Sequence, residues 1–143
     1  MGLLGKLFSS KPDFPAIDPA SAAAARVARI EQELHHLAET VREPLEVVPA
    51  QSAAYVFIGK PPRKFGLAWI DGDKVKGLNT LVEEHGMKPA EVARLVDQLR
   101  EVYERNSDAD RYTATVKDVD IVVTPSSRFE NEVHEIIDKI LQH

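Results

Sequence analysis

The densest cluster of ligand-type side chains in this 143-residue chain is Phe57-Ile58-Gly59-Lys60-Pro61-Pro62-Arg63-Lys64-Phe65-Gly66, where Lys60, Arg63 and Lys64 stand between two apolar runs. Three cations this close suit an anion or an acidic protein surface. A phosphate cradle asks for more: glycines for close backbone approach, a run of inward N–H groups, and a Lys followed by Ser or Thr where a helix begins. Here Pro61 and Pro62 have no N–H to offer, and Phe65 follows Lys64. What remains is a stiff cationic hairpin tip, an anion or acidic-partner patch formed by Lys60, Arg63 and Lys64.

Other chemistries fall away one by one. The chain has no cysteine, which removes thiol nucleophiles, thiolate metal sites and disulfides. His35 and His36 are adjacent in a helical stretch, where neighbours diverge by about 100°, so they read as solvated helix surface. Glu83-Glu84-His85 lacks the second histidine of a zinc-protease motif; His85 fits a helix C-terminus, where its charge would meet the carbonyl end of the dipole. Asp71-Gly72-Asp73 would open a calcium loop only with an acid or amide at Val75 and a glycine at Lys76, so it reads as a turn. His134 falls off the apolar face of its helix and reads as solvated. The expectation is therefore no catalytic residue, no bound metal and no cofactor. A small enzyme whose site is dispersed along the chain is one alternative.

The elements that must hold the cationic tip are legible around it. Ala53 to Ile58 and Phe65 to Ile70 are aromatic and β-branched runs, which predict an antiparallel hairpin. Leu45 to Pro49 is extended and reads as an edge strand, because Pro49 cannot donate to a ladder. Val75, Leu78, Leu81 and Val82 stripe a helix ending at His85-Gly86, and Pro89 opens a second one striped by Val92, Leu95, Val96, Leu99, Val102 and Tyr103. Tyr112 to Val116 and Val119 to Val123 alternate around a two-residue turn at Lys117-Asp118. Ser127 to Glu130 is a capping box before a last helix carrying Phe129, Val133, Ile136, Ile137, Ile140 and Leu141 on one face. The order ββααββα predicts an α+β domain over 44–143, with two antiparallel hairpins and all helices on one face, hence two layers.

Leu78 to Leu99 resembles a helix-turn-helix, with Gly86 in the turn and Glu91 to Leu95 opening the second helix. That resemblance implies a DNA-binding regulator, the runner-up reading, ahead of the dispersed-site enzyme. Against it, the would-be recognition helix runs on to about Arg105 and mixes Glu91, Asp97, Glu101 and Glu104 with its cations, and carboxylates repel phosphates.

Before this domain, Ala20, Ala23, Val27, Ile30, Leu34, Leu37 and Val41 fall alternately three and four residues apart. This is a heptad seam over residues 20–43. It predicts a coiled-coil-like helix that joins copies of the chain through Val27, Ile30, Leu34, Leu37 and Val41. Residues 1–19 read as a hydrophobic turn on a proline-rich tether: Leu3, Leu4, Leu7 and Phe8 gather on one side of a short helix suited to a partner groove or a membrane surface.

The totals agree with these readings. With 43% hydrophobic residues the chain can build a core without staples. A formal charge of −5 makes nucleic acid an unfavoured partner, and no apolar run reaches the roughly 18 residues that span a bilayer. The sequence therefore points to a cytoplasmic accessory or scaffold protein, peripheral to a membrane if its N-terminal turn meets lipid. It is expected to be non-enzymatic, to self-associate and to dock a protein partner.

Overall fold

A computed structural model of the chain describes residues 14–51 and 53–141. The expected hairpin forms from β2 (Ala53–Lys60) and β3 (Lys64–Asp71), paired antiparallel from Ala53↔Asp71 to Lys60↔Lys64. Asp71-Gly72-Asp73 turns the chain, with Gly72 at φ 64, into a short β4 (Lys74–Gly77) against β3. Val75, read from sequence as the start of a helix stripe, is instead an exposed strand residue. The helix, α3 (Leu78–His85), begins after Gly77, whose N–H is accepted by Thr80 Oγ1 at 3.1 Å.

Two short helices precede β2, α1 (Ala22–Arg29) and α2 (Glu31–Val41), and they lead into β1 (Leu45–Pro49). After α3 come α4 (Pro89–Arg105), β5 (Tyr112–Val116), β6 (Val119–Val123) and α5 (Ser127–Leu141). Gly86 ends α3 in the left-handed conformation, Pro89 opens α4, and Lys117 takes φ 57 in the β5–β6 turn, all where the sequence placed them. The cap of α5 lies one residue earlier than read: Ser126 Oγ, not Ser127, accepts the Phe129 N–H at 3.2 Å.

The six strands form one sheet in the order β4-β3-β2-β1-β6-β5. Far from being an edge, β1 is interior, antiparallel to β2 and parallel to β6. Its proline is tolerated because Pro49 closes the strand, and the parallel pairing involves only Glu46↔Val122 and Val47↔Val123. The outer side of β5 is covered by the chain itself: Thr113 N–H donates to Pro15 O at 2.9 Å and accepts at its carbonyl from Ile17 N at 2.8 Å. Part of the proline-rich stretch read as a tether therefore serves as an edge cover.

Alternation along the strands sends side chains into two separate cores. One face gathers Leu45, Val47, Val56, Ala68, Ile70, Ile121 and Val123 under α1 and α2. The other gathers Val48, Tyr55, Phe57, Leu67 and Trp69 under Leu81 of α3, Leu95, Leu99 and Val102 of α4, and Phe129, Val133 and Ile137 of α5. The mixed α+β class holds, but the two-layer ββααββα arrangement is corrected: helices cover both faces of the sheet, and β1 and β4 extend it.

The coiled-coil reading is corrected on the same observation. The helix breaks at Ile30, which sits at φ −115, ψ 24. Val27, Leu34 and Leu37 are buried against the chain's own strands, with Ile30 and Val41 packed partly buried beside them. A sheet face rich in valine and isoleucine needs an apolar cover, and a heptad stripe supplies one as readily as it supplies a seam between chains.

Leu34 separates the two roles of that stripe. It is 1% exposed, so Leu34→Ala should cost about 2–5 kcal/mol of folding stability. In urea titrations the unfolding midpoint should drop by the same amount at any protein concentration. A loss that appears only at low concentration would return the stripe to an intermolecular seam.

Candidate functional site

The β2–β3 tip is built by Gly59, the prolines and one residue of the helix α4 that packs on the sheet. Gly59 adopts φ +104, and a Cβ there would lie 3.0 Å from Lys64 O, so only glycine fits the approach. Past it, the Pro61–Pro62 peptide is cis, and Arg63 N donates to Lys60 O at 3.1 Å. Arg100 of α4 then reaches up to the turn: Nε donates to Pro62 O at 2.7 Å and Nη2 to Arg63 O at 3.2 Å. The guanidinium lies 5.7 Å from the Phe65 ring centroid and pairs with Asp97, which fixes its orientation. The tip is thus tied to a helix, while Lys60, Arg63 and Lys64 are exposed and form no ion pair among the described residues.

Beneath the tip lies a cleft of about 490 Å³, bounded by Phe14, Pro44, Pro61 and Val122 and reaching Glu46, Tyr103 and Arg111. Glu46 points from β1 toward the α4 side of the sheet and is buried. Its Oε2 accepts from Arg111 Nε at 2.8 Å and from Thr124 Oγ1 at 2.7 Å, and its Oε1 accepts from the Tyr103 hydroxyl. Arg111 is buried as well, its side chain 7% exposed. Nη1 donates to the carbonyls of Asn106, Ser107 and Ala109, and the guanidinium carbon sits 5.2 Å from the Tyr103 ring centroid. Arg111 Nη2 is buried with no acceptor among the described residues. Burial, followed by the charge and hydrogen bond of Glu46, holds the Tyr103 phenol well above its ordinary range, so it stays a donor.

Sequence reasoning found the tip and missed the cleft. Glu46 is one carboxylate between Leu45 and Val47, and its partners stand 57, 65 and 78 positions away. The available signal was a lone charge inside an apolar strand, since a buried carboxylate must be paired. Two histidines are also more engaged than read. His35 Nε2 lies 2.8 Å from Asp118 Oδ1 and its Nδ1 3.5 Å from Glu39, joining α2 to the β5–β6 turn. The His35 hydrogen bond is the main reason the Asp118 carboxyl sits below the usual carboxylate range. His134 Nδ1 shares a 2.6 Å hydrogen bond with the Tyr55 hydroxyl.

Leu3, Leu4, Leu7 and Phe8 lie outside the described residues. The 78–99 segment does fold as two helices, but Leu81, Leu95 and Leu99 are buried in the sheet's second core. The exposed positions of α4 include Glu91, Asp97, Glu101 and Glu104. Among the described residues no group of three His, Asp or Glu side chains could hold a metal ion, and no helix is long and apolar enough to cross a membrane.

Removing Arg111 alone leaves a buried, uncompensated carboxylate, so Arg111→Met should lose about 3–5 kcal/mol in denaturant titration. Adding Glu46→Gln removes the charge, keeps an acceptor for one of the Tyr103 and Thr124 hydroxyls and offers an amide N–H to the other, and the double variant should recover more than half of that loss. A double variant as unstable as the single would mean that packing of the arginine, not charge, was lost. The tyrosines set an alkaline limit. Burial, then Glu130, Asp138 and Asp71, push the Tyr55 phenol up to about 12, and the Tyr103 phenol is raised in the same direction. A pKa raised by folding leaves stability intact below the unfolded phenol value of about 10 and removes it as pH climbs from there through the folded value. The denaturant midpoint should therefore fall with pH across that window, and Tyr55→Phe should flatten part of the fall.

No protein-family model matches the chain, and no curated protein or solved structure is detectably similar to it.

Proposed function

We propose that the chain is a non-enzymatic interaction protein that docks an acidic segment of a partner protein on the β2–β3 tip. The observation that carries this reading is the Arg100 clamp. Two hydrogen bonds to the carbonyls of Pro62 and Arg63 hold the turn from below, while Lys60, Arg63 and Lys64 stay exposed without ion-pair partners among the described residues. A tip kept soluble by its charges has no need of a buttress. A tip that must present charges in a fixed array gains from one, because less side-chain and loop entropy is lost on binding.

Charge supports an acidic protein segment over nucleic acid. The chain is net acidic, and the long α4 beside the tip exposes four carboxylates, so a phosphate backbone passing over this side would meet both signs. A short acidic segment can contact the tip alone. Self-association through Val27, Ile30, Leu34, Leu37 and Val41 draws no support from a fold that packs these residues inside.

A fluorescent oligoglutamate peptide is a sufficient probe. It should bind with an affinity that falls as salt is added, and Lys60→Glu/Arg63→Glu/Lys64→Glu should weaken it at least about tenfold, roughly 1.4 kcal/mol. Arg100→Met leaves the three cations in place and frees the turn, so a smaller loss is expected. Equal binding by wild type and the triple variant would remove the tip from function.

A further inference from the structure

The cleft below the tip has an unmet need of one kind. The only carboxylate among its described lining residues, Glu46, is saturated by Arg111, Thr124 and Tyr103. Two donors stand without acceptors among the described residues: Lys60, which lines the cleft and forms no ion pair there, and the buried Nη2 of Arg111, a residue that also lines it. Phe14, Pro44, Pro61 and Val122 supply apolar wall, and Ser107 adds a hydroxyl. A volume of about 490 Å³ is within the range of small-molecule sites.

We propose that this cleft binds an amphiphilic carboxylate, a small molecule whose apolar body lies on Phe14, Pro44, Pro61 and Val122 and whose acid group meets Lys60. An acceptor-bearing anion answers the surplus of donors. A neutral molecule of the same shape leaves it unanswered, and a cation would be desolvated beside Lys60 and Arg111 with no free carboxylate among the described lining residues to receive it. The saturated Glu46 neutralises Arg111 and engages the Tyr103 hydroxyl, which leaves Lys60 as the charged group for the ligand to meet. The site goes beyond partner docking at the tip and shares with the tip's three cations only Lys60.

Titration calorimetry and amide chemical shifts with decanoate, below its micellar concentration, test this on the full chain, with decanol and decyltrimethylammonium as matched neutral and cationic probes. Decanoate should bind saturably, one per chain, and shift amides of cleft residues. Decanol should bind about tenfold more weakly or less, and the cation not at all. Lys60→Gln should cut decanoate affinity by a similar factor and leave decanol unchanged. Ala109→Trp, which fills the cleft from the loop before β5, should abolish binding of both; if that variant does not fold, the Lys60→Gln comparison decides alone. Arg63→Glu/Lys64→Glu, which should weaken the oligoglutamate peptide, should leave decanoate binding as in wild type, so that failure of one site is distinguishable from failure of the other. Absence of saturable binding, equal affinity for decanol and decanoate, or shifts confined to another face would each overturn the proposal.

Discussion

The parallel join between β1 and β6 is the narrowest point of the sheet, and the rest of the molecule is arranged around it. On one side lies the meander β1 to β4; on the other, the β5–β6 hairpin. They meet through two registered pairs, Glu46↔Val122 and Val47↔Val123, extended by the Thr124 N–H donating to Val47 O at 2.8 Å. Parallel pairing is the weaker kind per residue, and a seam this short offers little to define its register. The Glu46 side chain reinforces it, collecting Arg111 from just before β5, Thr124 from just after β6 and Tyr103 from α4. A buried ion pair of this sort adds little net stability over an apolar one. What it supplies is a penalty on misassembly, because any other docking of the C-terminal hairpin strands a carboxylate in the core.

The same network shapes the surface above it. Glu46 stands one residue into β1, so its partners converge at an end of the sheet rather than in its middle, and the space beside them opens as the cleft. Pro44 leads into β1 there, Gly59 donates its N–H to Pro44 O at 2.9 Å, and the cationic tip rises from that point. Arg100 ties the tip to α4, and Tyr103, one turn further along the same helix, ties α4 to Glu46. Tip and cleft are therefore held by one helix, and the charges the tip presents are fixed relative to the charges the cleft buries.

Elements set by local chemistry were legible in the sequence. The aromatic and β-branched runs gave the β2–β3 hairpin, Gly86 and Pro89 bounded their helices, and Lys117-Asp118 marked the last turn. What local chemistry does not set was not legible. The run from Ala54 to Phe57 is apolar on both parities, with Val56 in one core and Tyr55 and Phe57 in the other. That continuity is the mark of a strand buried on both faces, yet it was read as one-sided, and the heptad stripe was consequently sent to a neighbouring chain. β4 offered one apolar residue, Val75, in a stretch equally fit to begin a helix. Only the Gly72 turn and the pairing to β3 decide it. The Glu46 network had no local signal beyond a lone carboxylate, because its partners come from three separate elements brought near by topology.

The claim that the β1–β6 join, locked by Glu46, is the keystone of the fold is tested most directly by native-state hydrogen exchange of individual amides. If it is right, the amides of β1, β2 and β6 in the wild type, including those of Thr124 and Gly59, exchange only through global unfolding and share a single opening free energy. In Arg111→Met they should fall together. If the β5–β6 amides instead exchange through a separate, lower-energy opening in the wild type while β1 to β4 stay protected, the join is an incidental contact and the sheet is held elsewhere.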